Sequence, residues 1–125
     1  MTKELTASLL QAGAAGGSAT SSNFLAEKGP KGVIKTVGNY NNAYGLPLSV
    51  LQMISNGATP EQFDYAVLEM GMSGPGEITH LCSIAPPNIG VVTNVSAVHL
   101  EFFPSVEAIA EAKAELVDNL KADGL

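Results

Sequence analysis

Tryptophan is absent, and the chain holds only three tyrosines and four phenylalanines. So few rings argue against a platform on which bases or sugars stack. Cysteine occurs once, at Cys82, so no internal disulfide can form and a cytoplasmic setting is favoured. Cys82 stands among apolar neighbours in an expected helix and reads as a small buried hydrophobe rather than a nucleophile. Positive charge is scarce: six basic side chains face twelve acidic ones, and the net charge of -6 argues against a non-specific nucleic-acid surface. No apolar run is long enough to span a bilayer. No charged-then-apolar leader opens the chain.

What is there suffices for one ordinary domain covering residues 1–125, since 125 residues with 46% hydrophobic content can bury a core. The chain is organised around residues 64–71, Asp-Tyr-Ala-Val-Leu-Glu-Met-Gly. Tyr65 to Leu68 is a short apolar run, as expected of an interior strand in a parallel sheet. It delivers Glu69 to the strand's C-terminal end. Gly71, Gly74 and Gly76 follow, so the backbone there can turn sharply and approach a ligand. In open α/β sheets ligands bind outside the carboxyl ends of the strands. Glu69 is therefore a candidate metal or catalytic ligand, and the plainer alternative is a polar strand end.

In chain order, residues 2–12 carry Leu5, Leu9 and Ala12 at helical spacing and predict a helix. Residues 13–32 are first Gly/Ala/Ser-rich and then a polar turn, and they read as a flexible surface connection. The Gly-rich part lacks the Gly-Lys-Ser/Thr ending of a phosphate-cradling loop. Residues 33–37 predict a strand. Asn39, Asn41 and Asn42 lie in the loop that follows, where each amide offers donors and an acceptor to a polar ligand, or else serves the turn itself. Residues 47–54 predict a helix with Leu48, Leu51 and Ile54 or Val50 inward, and residues 77–85 another, stopped by Pro86 and Pro87. His80 on that helix reads as a solvated surface residue. Residues 89–95 form a further strand, with Asn94 at its end and His99 just beyond. Ser105 is an N-cap candidate for a last helix to about residue 121, burying Val106, Ile109, Ala110, Ala112 or Lys113, Leu116, Val117 and Leu120. Lys113 close to an apolar stripe ordinarily packs its stem and sends its amine to water.

Helix, strand, helix, strand, helix, strand, helix implies a three-layer α/β/α domain with a mainly parallel sheet. Right-handed crossovers bring the strand ends to one edge, so the Asn cluster, Glu69 and His99 converge on one rim. A carboxylate, an imidazole and open positions suit a divalent ion holding phosphate oxygens. The residues by themselves reach as far as a metal-assisted phosphate or nucleotide site.

Four motifs carry a resemblance. Residues 36–48, T-V-G-N-Y-N-N-A-Y-G-L-P-L, resemble the T-x-G-N-x-N-N-x-x-G-x-P-L of the Mur ligases. Residues 65–71, Y-A-V-L-E-M-G, followed by G-P-G-E-I at 74–78, resemble the Y-A-V-x-E-x-G and G-E-I of the MurF type. Residues 93–101, T-N-V-S-A-V-H-L-E, resemble its T-N-V-x-x-A-H-L-E, and A-K-A-E at 112–115 its A-K-x-E. The resemblance implies a P-loop-NTPase-like central domain of a ligase that adds D-alanyl-D-alanine to a UDP-muramoyl-peptide, using ATP as co-substrate and Mg2+. ATP would activate a carboxylate as an acyl phosphate, and an amine would attack to give an amide. It implies Glu69 and His99 as Mg2+ ligands and Lys113 as a carbamylated lysine that serves as a catalytic, metal-binding group. Asn39, Asn41, Asn42 and Asn94 would contact substrate or nucleotide.

The 125 residues hold no G-x-x-G-K-T loop, and Thr2-Lys3-Glu4-Leu5 resembles the residues just after it. The expectation is a central domain lacking its first strand and P-loop. Residues 13–32 are longer than expected of the family between the first helix and the next strand, and Phe103-Pro104-Ser105 stands where the family has F-G-S. A lost central strand would expose sheet edges and favour homo-oligomers. A second expectation is a non-catalytic binding or assembly module that no longer binds ATP.

Overall fold

The computed structural model describes residues 7–10, 32–57, 63–97 and 101–125. Four parallel strands form one continuous sheet: β1 (Ala7–Leu10), β2 (Val33–Lys35), β3 (Tyr65–Glu69) and β4 (Ile89–Val92), in the order β2-β3-β1-β4. The helices are α1 (Gly45–Leu51), running on into a 3-10 helix (Gln52–Gly57), then α2 (Glu77–Ile84) and α3 (Val106–Asp118). The α/β class with a parallel sheet is as expected.

The first element is not. Ala7–Leu10, expected inside a helix, is a strand that pairs on both sides. Ala7 stands opposite Val67 and Ile89, and Leu9 opposite Glu69 and Val91. Two inner strands with unpaired backbone groups on facing sides require a third strand between them, and this tertiary demand overrides a short segment's helical spacing. The central slot is therefore filled, and the gap expected from a lost strand does not arise. The other edge of β4 is also partly covered: the Leu125 amide donates to Asn88 O at 2.9 Å and Leu125 O accepts from the Gly90 amide at 2.8 Å.

The steps from β2 to β3 and from β3 to β4 run the same way across the sheet, so right-handed crossovers put α1 and α2 on one face. There α1 packs on β2, β3 and α2, α2 packs on α3, and α3 packs on β4. Burial alternates along β3: Ala66 and Leu68 are in the core, whereas Tyr65 is exposed. The described residues thus supply the sheet and one of the two helical layers expected. Among the described residues the core comprises Ile34, Leu46, Ala66, Leu68, Met70, Met72, Ile78, Leu81, Cys82, Ala85, Phe103, Ile109, Ala112 and Leu116. Gly90 lets α3 approach the sheet, since a Cβ there would lie 3.1 Å from the Leu116 side chain.

α1 buries a different face from the one expected: Gly45, Leu46 and Ser49 are buried, while Leu48, Leu51 and Ile54 are exposed. The cause is local. Asn42 Oδ1 accepts from the Tyr44 and Gly45 amides at 3.1 and 2.9 Å, which starts the helix early, at Gly45. Gly45 then lies so close to the Tyr40 backbone that an added Cβ would come within 2.4 Å of it. In α3, Ile109, Ala112, Lys113 and Leu116 are buried, but Val106 and Val117 are exposed. The two valines flank the stripe rather than belong to it.

Candidate functional site

Glu69 ends β3, as expected, and is held from two directions. Its amide donates to Thr36 Oγ1 at 2.9 Å, and its Oε1 accepts from Asn41 Nδ2 at 3.0 Å. The Thr36 amide in turn donates to Val67 O at 3.1 Å, continuing the β2–β3 ladder past the end of β2. The Asn loop is tied to the same strand end, because the Gly71 amide donates to Asn41 O at 2.7 Å. A Cβ on Gly71 would lie 3.0 Å from the Asn41 side chain, a tight contact that would press on the amide holding the carboxylate. Asn41 and Glu69 thus meet on one rim. Asn41 orients one carboxylate oxygen of the half-buried Glu69, and a hard cation can take one protein carboxylate together with phosphate and water oxygens.

The three Asn side chains have different parts. Asn41 orients Glu69. Asn42 caps α1 with its oxygen, the service that Asn gives turns, and the residue also lines a cleft. Asn39 is exposed, and its carbonyl accepts from the Asn41 amide at 2.8 Å within the turn begun at Gly38, whose φ is +59°.

Lys113 lies on the inner face of α3 and is only 1% exposed. Its amine does not reach water but donates to the backbone carbonyl of Asn94, beyond β4. Burial lowers its pKa below the ordinary lysine value of 10.5. Asn94 and Lys113 therefore form a second cluster. No hydrogen bond among the described residues joins it to the Glu69–Asn41 pair. His99 lies outside the described residues. Among those described, no three His, Cys, Asp or Glu side chains gather as a metal cage.

Beside Gly71 opens a cleft of about 560 Å³, lined by Asn42, Ala43, Tyr44, Gly71, Ser73, Pro75, Gly76, Glu77, His80 and Leu81. His80 is exposed, as expected, yet it forms part of this wall. The wall is built by the glycine loop. Gly76 has a φ of +82°, and Glu77 Oε2 turns back to accept from the Ser73 amide at 2.7 Å. The start of α2 offers no phosphate seat, because the Glu115 carboxylate from α3 already accepts from the Gly76 and Thr79 amides there. Sequence reasoning passed over Thr36 and Glu115, although both lie inside the quoted motifs.

The pattern of the Mur ligase middle domain matches residues 2–125. The chain belongs to the Mur ligase middle domain family. Among its relatives, the UDP-N-acetylmuramoyl-tripeptide–D-alanyl-D-alanine ligase of Bacillus subtilis is 50% identical over 93 residues, covering 74% of this chain and 19% of that protein. The ligase of the same name from Escherichia coli is 40% identical over 90 residues, covering 72% of this chain and 19% of its own length. The chain thus spans about a fifth of these relatives. The crystal structure of MurF from Acinetobacter baumannii superposes with a TM-score of 0.78 at 27% identity, covering 96% of this chain and 25% of that one. MurF ligase of Thermotoga maritima, solved in complex with ADP, gives a TM-score of 0.71 at 37% identity, covering 95% of this chain and 26% of that one. The resemblance to Mur ligases of the MurF type, carried by four short motifs, is borne out in both sequence and fold.

Proposed function

We propose that this Mur ligase domain supplies the metal-bearing rim of an ATP-dependent amide ligase acting in the cytoplasm on peptidoglycan precursors. Its substrates would be those in its relatives' names: a UDP-muramoyl-tripeptide and D-alanyl-D-alanine. The observation that carries this reading is Glu69 at the C-terminal end of β3, its carboxylate held by Asn41 and its backbone amide by Thr36, two residues before the Gly71 that lines an open cleft. One oriented carboxylate fits Mg2+, which keeps several waters and completes its shell with phosphate oxygens. Glu69 would hold the ion together with His99 and a carbamylated Lys113. The ion, when bound, would neutralise charge on transferring phosphoryl oxygens.

The chain's own residues would do the rest. Asn41 would keep Glu69 in one rotamer, so that the carboxylate needs no reorganisation. Asn42, which lines the cleft, would donate to a substrate oxygen there, and Asn39 and Asn94 would add polar contacts to substrate or nucleotide. Lys113 would contribute from beyond β4, where the Asn94 carbonyl directs its amine. In this reading ATP converts a substrate carboxylate to an acyl phosphate, and the amine of D-alanyl-D-alanine displaces the phosphate to form the amide. The chain alone would bind and not turn over. Self-association, if the sheet supports it, would run through the outer side of β2, since β1 is internal and Leu125 lies along β4.

Calorimetric titration of the chain with UDP-N-acetylmuramoyl-tripeptide in the presence of Mg2+ tests the reading. Saturable binding that weakens in Asn42→Ala is expected. Absence of heat at any concentration, with or without Mg2+, would contradict it and favour a module that does not handle this substrate.

A further inference from the structure

A carboxylate with no part in the chemistry proposed above ties α3 to the cleft. Glu115 Oε1 accepts from the Gly76 amide at 2.6 Å, and Glu115 Oε2 accepts from the Thr79 amide at 2.9 Å and from Thr79 Oγ1 at 3.1 Å. Asn119, one turn on, braces the arrangement: its Nδ2 donates to Thr79 Oγ1 at 3.2 Å and to Glu115 O at 2.8 Å. Gly76 stands at the left-handed N-cap of α2 and has no side chain with which to cap the helix. The amides left open at a helix start carry partial positive charge and favour an anion. Here that anion comes from another helix, some 36 to 39 residues away in sequence. The negative charge is also felt inside the domain, where burial first and Glu115 second push the Cys82 thiol up to about 11.

The consequence reaches the cleft. Gly76 and Glu77 belong to its wall, and Glu77 holds the Ser73 amide, so the loop from Gly71 to Gly76 is suspended between β3 and the Glu115 carboxylate. The same helix carries Lys113 two residues earlier, with its amine on Asn94 O. We infer that Glu115 is a positioning residue: it caps α2 in trans and thereby sets the glycine-loop wall of the cleft relative to the helix that carries Lys113. Its relevance to ligand binding rests on the reading that the cleft takes the muramoyl-peptide, whereas its hold on the loop does not.

The test compares amide hydrogen exchange in the wild-type chain, Glu115→Ala, Glu115→Gln and Ser105→Ala, the last weakening α3 at its own cap without touching α2. Loss of a charge-assisted bond predicts exchange at Gly76 and Thr79 at least about tenfold faster in Glu115→Ala. A glutamine keeps one acceptor oxygen, so Glu115→Gln should restore protection at one of the two amides and not the other. Ser105→Ala should leave both protected. Gly76 and Thr79 as slow in Glu115→Ala as in wild type, or equally fast in Ser105→Ala, would overturn the inference. The same four proteins are titrated with UDP-N-acetylmuramoyl-tripeptide. Affinity should fall in Glu115→Ala, recover in part in Glu115→Gln and hold in Ser105→Ala, and unchanged affinity with a loosened loop would overturn the positioning role. A wild-type chain that binds none of this probe would contradict the proposed substrate, while the exchange arm still decides whether Glu115 holds the loop.

Discussion

Cys82 is 2% exposed and packs its sulfur 3.8 Å from that of Met70. Burial raises its pKa to about 11, so almost no thiolate exists at neutral pH. Ellman's reagent should therefore leave the native chain unmodified at pH 8 and react stoichiometrically once urea unfolds it, and rapid native labelling would contradict the packing. Lys113 is the opposite kind of buried group, a base whose proton is disfavoured by burial. Its folded pKa lies below 10.5, so the unfolded state holds the proton to higher pH. Lysine's electrostatic cost to folding is then full at and below the folded pKa and is relieved as pH rises from there toward 10.5. Urea midpoints of wild type and Lys113→Met, compared at pH 7 and pH 10, should show the wild type gaining ground at pH 10. An unchanged gap would mean that the amine is solvated. These two residues differed in legibility. Cys82 was readable because a small apolar side chain among apolar neighbours has one common fate. Lys113 was legible only in part: it stood as an alternative to Ala112 on the buried face, but a lysine there ordinarily sends its amine to water, and its partner among the described residues, the Asn94 carbonyl, is distant in sequence.

At the scale of elements, caps decided where the helices start. Ser105 was visible as the α3 N-cap, and its Oγ accepts from the Ala108 amide at 3.2 Å. The Glu107 carboxyl is held below its usual range first by its own backbone amide and then by Ser105. Replacing Ser105 by Ala should cost about 1 kcal/mol of stability in denaturant unfolding. Asn42 was read as a ligand-facing amide, with the turn as the alternative, and it serves as a cap. That moved the start of α1 to Gly45 and turned Leu48 and Leu51 outward. The first element was misread for a different reason. Four residues, Ala-Ser-Leu-Leu, carry too little pattern to separate helix from strand, and the slot between β3 and β4 settled it. Hydrogen exchange should find the Ser8 and Leu10 amides protected, as paired central-strand amides are, and exchange at the rate of an open chain would contradict the strand.

For the whole molecule, the sheet is continuous and one helical layer of α1, α2 and α3 packs on it. Leu116 is fully buried at the meeting point of α3 and β4, where Gly90 leaves room for it. Leu116→Ala should destabilise the fold by about 2–5 kcal/mol, measured by the urea midpoint. The gathering of Asn41 and Glu69 on one rim was legible, because right-handed crossovers carry parallel strand ends to one edge. The separate Lys113–Asn94 cluster and the trans-cap from Glu115 were not, since both rest on contacts between elements far apart in the chain. The central claim is that Glu69 is the metal-holding carboxylate of this Mur ligase domain. The most direct test follows amide chemical shifts during Mg2+ titration of the wild type and of Glu69→Gln. Saturable shifts centred on Glu69, Asn41 and Gly71 that vanish in Glu69→Gln are predicted, and Mg2+ binding unchanged by that substitution would contradict the account.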